Sequence, residues 1–490
     1  MPEPEQELTM ALALTPIVFL VTLLAVSVYL FGADSSYGAN QIVLVLTTCV
    51  VALVGRAIGM SWSTLEEGII SGIGVGLRPT LILLGVGMLI GTWILSGTVP
   101  SMIYYGVQVL NPGIFYAACA AICALVAVSI GSSWTVAGTL GIGLMGIAGS
   151  FGLSPAIAAG AIVSGAYFGD KLSPLSDTTN LAAAVTGVDL FAHIRHMLWT
   201  TLPSFVIALV IFAALGSSGG SKPEEIEALQ TSLQAEFNIG LHLLIPLAMM
   251  LYLVYKRYPA FPAIVISALT GALFALLFQS EAVVKLAGDS EDLGLALTLT
   301  KGIWISLFDG YVSTSGNDYL DSLLSKGGMS SMMNTVWLCI AALSLGGILD
   351  RSGILRFLLS KMLARIRSDG SLIATTVATG IGTNILTADQ YIAVALPGRM
   401  FEDEYVRRGQ SRLNLSRTLE DSATITSALI PWNTCGAYMA ATLGVATFSY
   451  APYAFFNLAC PVLAVVYGYL QFAQMPGDAP TSEEAMAKVE

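Results

Sequence analysis

The sequence predicts an all-α polytopic membrane protein built as an inverted-topology repeat, and three observations carry that prediction. Between Arg78 and Asp170 run 91 consecutive residues without one Asp, Glu, Lys, Arg or His, where about 20 apolar residues already span a bilayer. Only 11% of the 490 residues are charged, against about 25% in soluble proteins, and 55% are hydrophobic. Polar motifs of the first half recur in the second at offsets of 251–256 residues, with opposite loop charge. The first two observations exclude a soluble enzyme, a secreted disulfide scaffold and a nucleic-acid binder.

Taken in order, the run 10–32 follows Glu3, Glu5 and Glu7 rather than a basic stretch, and reads as a mature helix rather than a signal peptide. Runs 40–55 and 79–97 read as spans, with an interfacial segment at about 62–78 between them. The stretch 117–150 is apolar but interrupted, 156–187 is broken by polar residues, and 198–215 closes the half. Glycine, proline and charge in SSGGSKPEEIEALQ mark a linker. In the second half 241–255, 261–278, 335–349 and 452–472 are spans, 303–325 is interfacial, and 371–396 and 423–444 are interrupted. The divisions are 1–216 for one repeat, 217–240 for an extracytoplasmic linker, 241–472 for the other repeat, and 473–490 for a disordered cytoplasmic tail. The six cysteines lie in apolar stretches and read as small buried hydrophobes, and three scattered histidines leave no haem or zinc site. No cofactor is expected.

Gly131-Ser132-Ser133 lies 39 residues before Asp170, as Gly382-Thr383-Asn384 lies 39 before Asp421. SDTTN at 176–180 matches PWNTC at 431–435, and Gly91, Ser96 and Gly97 match Gly347, Ser352 and Gly353. Residues 351–367 and 399–417 carry five Lys or Arg each, and their first-half counterparts carry none. Cations accumulate on cytoplasmic loops, so equivalent loops lie on opposite faces. The segment 371–396, between two cytoplasmic loops, then enters and returns as a re-entrant hairpin with its tip at 382–384. Its partner has a tip at 131–135 and enters from outside. About ten transmembrane helices and two hairpins result, with both termini cytoplasmic.

Irregular backbone at membrane depth is tolerated where it lines a protein-walled site, and transporters use such breaks at the midplane. The first break offers Asp170, Ser173, Asp177, Thr178, Thr179 and Asn180; the second offers Glu420, Asp421, Thr424, Thr426, Ser427, Asn433 and Thr434. Oxygens of these types suit a hard cation such as Na⁺, and a carboxylate at that depth also takes a proton. One Asp that holds Na⁺ or H⁺, never both, couples the two flows. Lys171 reads as a structural partner of Asp170 or Asp177, and His193 and His196 as residues of a solvated cytoplasmic loop. Helix-end electrostatics rivals a binding role at Glu420 and Asp421. Asp389 divides between a helix N-terminal contact and coupling, while Trp134 and Trp432 flank the tips.

The strings GSSWTVAGTLGIG (131–143), GAYFGDKLSPLSDTTNLAAAVTGVDLFAHIRHM (165–197), GTNILTADQYIAVALPGRMF (382–401) and LEDSATITSALIPWNTCGAYMAATLGV (419–445) resemble the NhaC-type sodium/proton antiporter family. The resemblance covers most of the chain. It implies an elevator-type transporter with a dimerising scaffold, hence a homodimer, in the cytoplasmic (inner) membrane. By position it implies ion- or substrate-binding roles for Asp170, Ser173, Asp177, Thr178, Thr179 and Asn180, with Na⁺ at Asp170, Asp177 and Asn180. In the second half it implies Thr383, Asn384, Asp421, Asn433 and Thr434. Na⁺ and H⁺ are the expected substrates. The alternative is a Na⁺- or H⁺-coupled carrier of a small organic solute, malate or lactate or an amino acid. Lys171 is the one cation at the first break, and acids dominate both breaks, which tilts the reading towards a cation exchanger. An intramembrane enzyme would need a nucleophile beside a base, and the sequence sets no histidine by either break.

Overall fold

The computed structural model describes residues 7–216, 223–288, 294–316, 318–364 and 366–477. Residues 217–222 of the expected linker and 478–490 of the expected tail lie outside them. The first half runs α1 (Met10–Phe31), α2 (Ala39–Ala57), α3 (Trp62–Val75), α4 (Leu77–Leu95), α5 (Thr98–Val109), α6 (Phe115–Ile130), α7 (Ser133–Val136), α8 (Ile142–Ser150), α9 (Pro155–Leu172), α10 (Asp177–Thr186) and α11 (Leu190–Gly216). Then come α12 (Pro223–Glu236), α13 (Ile245–Tyr255), α14 (Ala260–Phe278), α15 (Ser280–Ala287), α16 (Leu295–Phe308) and α17 (Asp318–Leu324). The chain continues through α18 (Met333–Arg351), α19 (Ile354–Leu363), α20 (Asp369–Thr387), α21 (Gln390–Arg407), α22 (Arg412–Leu419), α23 (Thr434–Leu443), α24 (Thr447–Tyr450) and α25 (Phe455–Leu470).

Among the described residues seven helices are long and apolar enough to cross a membrane, or nine if two bent pairs each count as one span. The expectation was ten. Several of the remaining helices are short or polar: α9 ends in Asp170 and Lys171, and α21 carries Arg399, Glu402, Asp403 and Glu404. The linker also differs from expectation, because Pro223–Glu236 is helical. Proline at its start suits the first turn of a helix, and the EEIEALQ run has good helix formers.

The helices pack as two groups. In one, α4 lies against α14 and α16, and α18 against α2 and α3. Glycines permit the close approach: a Cβ on Gly72 would run into Leu343 O and the Gly347 backbone. In the other group α6 packs on α9, α20 and α11 on α25, and α10 on α21.

Two helical hairpins stand in the second group. Gly165 faces Ala120 and Gly169 faces Ala124, so α6 and α9 run parallel and the chain between them doubles back. Its two ends meet, with the Phe115 and Phe151 rings 5.6 Å apart and Ser154 N donating to Tyr116 Oη at 2.9 Å. The turn is at Gly131 (φ 75°), and Ser132 caps the next helix by accepting from Thr135 N at 3.2 Å. The second hairpin is α20 and α21, closed where Arg408 donates to Ile366 O at 2.9 Å and Gln410 to Asp369 at 3.1 Å. Its tip is not at 382–384. That stretch is inside α20, and the chain turns at Ala388 (φ 56°) with Asp389 capping α21 through Ile392 N at 2.9 Å. Gly380 is a packing glycine, where a Cβ would lie 2.6 Å from Ser422 Oγ.

Helix limits recur at a nearly fixed spacing. Leu77 and Met333 open 19-residue helices, and Gly97 and Gly353 are left-handed caps, 256 residues apart in each case. Gly131 and Ala388, Pro155 and Arg412, Ser176 and Asn433, and Gly187 and Gly444 hold like positions 257 apart. At that spacing Asp170 corresponds to Ser427 and not to Asp421, so the motif offset of 251 was six residues out of register.

Candidate functional site

The break between α9 and α10 is built from caps. Ser173 N closes on Asp170 O at 3.1 Å, and Ser176 caps α10 by accepting from Thr179 N at 3.5 Å. Thr179 Oγ1 donates to Lys171 O at 3.1 Å, Ser176 and Thr178 hydroxyls meet at 3.1 Å, and Asn180 Nδ2 donates to Pro174 O and Ser176 O at 2.9 and 2.7 Å. Asp170 is buried, and its Oδ2 accepts from Ser133 N at 3.0 Å and Ser133 Oγ at 2.7 Å. The carboxylate thus closes the first hairpin tip onto the break. Asp177 and Asn180 are exposed, whereas Ser173, Thr178 and Thr179 are buried. Asp177 opens α10, where the helix dipole favours a carboxylate.

The second hairpin tip joins the second break. Asn384 Nδ2 donates to Ala423 O and to Thr426 Oγ1, the latter at 3.2 Å, while Asn433 Nδ2 donates to Asn384 Oδ1 at 3.2 Å. Thr434 N donates to Ala388 O at 2.9 Å, Trp432 Nε1 to Ile385 O at 2.8 Å, and Asn433 caps α23 through Cys435 N at 3.0 Å. Thr383 Oγ1 is buried without a partner among the described residues, as is Asp389 Oδ2.

The two halves meet between these breaks. Ser427 Oγ donates to Gln390 Oε1 at 3.3 Å and lies 3.4 Å from Tyr167 Oη. Trp134 stacks on Tyr438 at 4.0 Å, and Tyr438 Oη donates to Trp134 O at 2.8 Å.

Asp421 is placed differently from the first-half acids. It forms a fully buried ion pair with Lys171, and Oδ1 also accepts from Thr200 Oγ1 at 2.8 Å and lies 3.2 Å from Cys460 Sγ. Arg417 Nε is 4.0 Å from its Oδ2, and Glu420 is fully buried beside it. Lys171 and Asp421 compensate each other there, and charges at such depth are tolerated when they are paired. Contrary to the expectation that it would pair with Asp170 or Asp177, Lys171 pairs with Asp421. Its ammonium takes the place that a cation would need at Asp421.

Two further expectations fail. His193 and His196 are buried on α11, bonded to Ser416 Oγ at 2.8 Å and Asn414 Oδ1 at 3.0 Å, because α11 begins eight residues before 198 and packs on α22. Residues 473–477 are docked and not disordered: Met475 exchanges bonds with Ser411 and Asn414, and Arg417 Nη1 donates to Ala473 O at 2.7 Å. Five cysteines are buried as expected, but Cys49 is exposed on α2.

Residues 165–472 match the profile of the Na⁺/H⁺ antiporter family. The Na⁺/H⁺ antiporter NhaC of Alkalihalophilus pseudofirmus is 40% identical over 88% of this chain and 90% of its own. A malate-2H⁺/Na⁺-lactate antiporter of Bacillus subtilis is 37% identical over 88% and 89%. The arginine/ornithine antiporter ArcD of Halobacterium salinarum is 35% identical over 99% and 97%.

Proposed function

The chain belongs to the Na⁺/H⁺ antiporter family of secondary transporters, and on that premise we propose that it exchanges Na⁺ for H⁺ across the cytoplasmic membrane by alternating access. The observation that carries this reading is Asp170, a buried carboxylate at a helix break, tied to the tip of a hairpin by Ser133. Na⁺ bound there, with Asp177 and Asn180 beside it, competes with a proton for the same oxygens. Neutralising the carboxylate by either ion satisfies it, and the empty charged state is the one that burial disfavours. That asymmetry lets the site move when loaded and makes the flows obligatory partners.

The repeat spacing and the basic loops of the second half support two inverted repeats with both termini cytoplasmic. The group of hairpins and broken helices suits a moving unit, and the α4, α14 and α18 group a static one that dimerises.

Purified protein in proteoliposomes, given a Na⁺ gradient and a pH dye inside, tests the reading. Proton movement against Na⁺ with no organic solute present is expected. If protons move only when malate, lactate or an amino acid is added, the organic-solute exchanger replaces it.

A further inference from the structure

A cleft of about 510 Å³ opens beside the second break, between α20 and α25. Ligand pockets run about 300–1,000 Å³, so it is large enough to hold one. The two helices touch where a Cβ on Gly468 would strike Ile373 and one on Gly370 would strike Tyr469. Further along, Val377 and Ile381 of α20 line one side of the cleft and Pro461 of α25 the other, with Leu429 of the break completing the wall. Along α25 the lining runs from Asn457 to Val466, about 13 Å at 1.5 Å per residue. Leu458 and Val462 belong to that lining and are exposed. On a helix that reads as a membrane span, the cleft therefore opens sideways towards lipid.

One residue of this apolar wall is out of character. Asn457 lines the cleft and is 0% exposed. Its Nδ2 donates to Ile425 O at 2.8 Å, which fixes the orientation of the amide, and its Oδ1 has no partner among the described residues. Pro461, one turn on, brings no N–H back to the Asn457 carbonyl. The other polar side chain in the wall cannot help. Thr426 Oγ1 donates to Ser422 O at 2.7 Å and accepts from Asn384 Nδ2 at 3.2 Å, so it has no proton left to give. Water suits the place badly, because a buried water needs several polar partners and this wall offers acceptors at one point. A plain acyl chain would fill the void and leave the buried acceptor unmet.

We propose that this cleft binds a long-chain aliphatic alcohol drawn from the bilayer, its hydrocarbon body against Val377, Ile381 and Val462 and its hydroxyl donating to Asn457 Oδ1. The ligand is neutral, since no charged side chain lines the wall. A donor head on an apolar body accounts together for the open apolar cleft and the orphaned acceptor inside it. None of Asp170, Asp177 and Asn180 lines the cleft, so the site does not depend on the Na⁺/H⁺ reading.

The test is photo-crosslinking of the full-length protein in lipid nanodiscs with decanol carrying a diazirine, the adducts being located by peptide mass spectrometry. Adducts on the cleft wall are expected, reduced about tenfold or more by excess decanol. Excess methyl decyl ether, which has the same body and no donor, should leave them in place. Val462→Trp fills the cleft from its lipid side and Asn457→Leu removes the acceptor, and each should cut the adducts several-fold in protein that still elutes as a folded species. Adducts scattered over lipid-facing helices that excess decanol does not reduce, equal reduction by the ether, or undiminished adducts in either variant each overturn the proposal. If Asn457→Leu fails to fold, the ether comparison and Val462→Trp still decide. Na⁺-driven proton exchange measured on the same protein in proteoliposomes keeps the two readings apart: exchange without cleft adducts rejects the alcohol site alone.

Discussion

Asp170 and Lys171 are neighbours on α9 with opposite surroundings, and that contrast decides what each can do. Asp170 accepts from the backbone amide and the hydroxyl of Ser133, as the proposed exchange of counter-ions requires. Lys171 is committed to Asp421 in a fully buried ion pair. Asp170→Asn keeps the shape and removes the charge, so exchange in proteoliposomes should fall about tenfold or more, while the protein still elutes as a folded species. Lys171→Met strands a buried carboxylate, and breaking such a pair costs about 3–5 kcal/mol. Its apparent Tm in detergent should drop, and Lys171→Met with Asp421→Leu should recover most of the loss. A double variant no better than the single one would show that Lys171 is not there to neutralise Asp421. The oxygen-rich strings were legible in the sequence because burying so many polar groups in an apolar chain demands a reason. The partner of Lys171 was not, because it lies 250 residues away and local spacing favoured Asp170 and Asp177. The buried histidines were misread for the same cause: charge at Arg195 suggested a surface, and only packing on α22 reveals the other face of that helix.

The hairpins and broken helices show where sequence punctuation serves and where it misleads. Helices end at Gly131 and at the proline-containing stretch between α9 and α10, where the sequence carries turn residues. Gly380 and Gly382 were read as a tip, but a glycine inside a membrane helix also lets another backbone approach, as Gly380 does for Ser422. The turn sits at Ala388 instead, where a residue with a Cβ takes a left-handed conformation. That conformation costs about 1–2 kcal/mol for an L-residue and is unmarked in the sequence. The strap at 473–477 has a sharper consequence. It supplies acceptors or donors to Gly409, Ser411, Asn414 and Arg417 at the head of α22, the helix that leads into Glu420 and Asp421. Cutting the chain after Phe472 leaves Arg417 buried with one acceptor fewer, so the apparent Tm should fall. Cutting after Gly477 removes none of these bonds and should leave it unchanged. Equal stability of the two truncations would show that the strap only rests on α22.

At the scale of the whole molecule, the membrane character of the helices was legible because a bilayer imposes a compositional rule on every span, but their number was not, since ten spans were expected where seven to nine of the described helices qualify. The repeat was visible as well, though six residues out of register in its middle, since short motifs align by resemblance and helices by their caps. The spacing of 256–257 between equivalent caps ties Gly97 to Gly353 and Gly187 to Gly444. If the halves are inverted, the short loop after α5 and the basic turn after α21 face opposite sides, because the first is free of charge and the second is rich in arginine. Asn111 is exposed in the first place, and Asp403 is exposed near the C-terminal end of α21, just before the second. With Cys49, the one exposed native cysteine among the described residues, replaced by Ser, Asn111→Cys should react with an impermeant thiol reagent added to intact cells. Asp403→Cys should react only after the membrane is opened. Labelling of both from outside would place the open ends of the two hairpins on one face and dissolve the inverted arrangement. Asp170 and its hairpin would then lack the opposed partner that lets one site open to each side in turn, and the exchange proposed here would need a different motion.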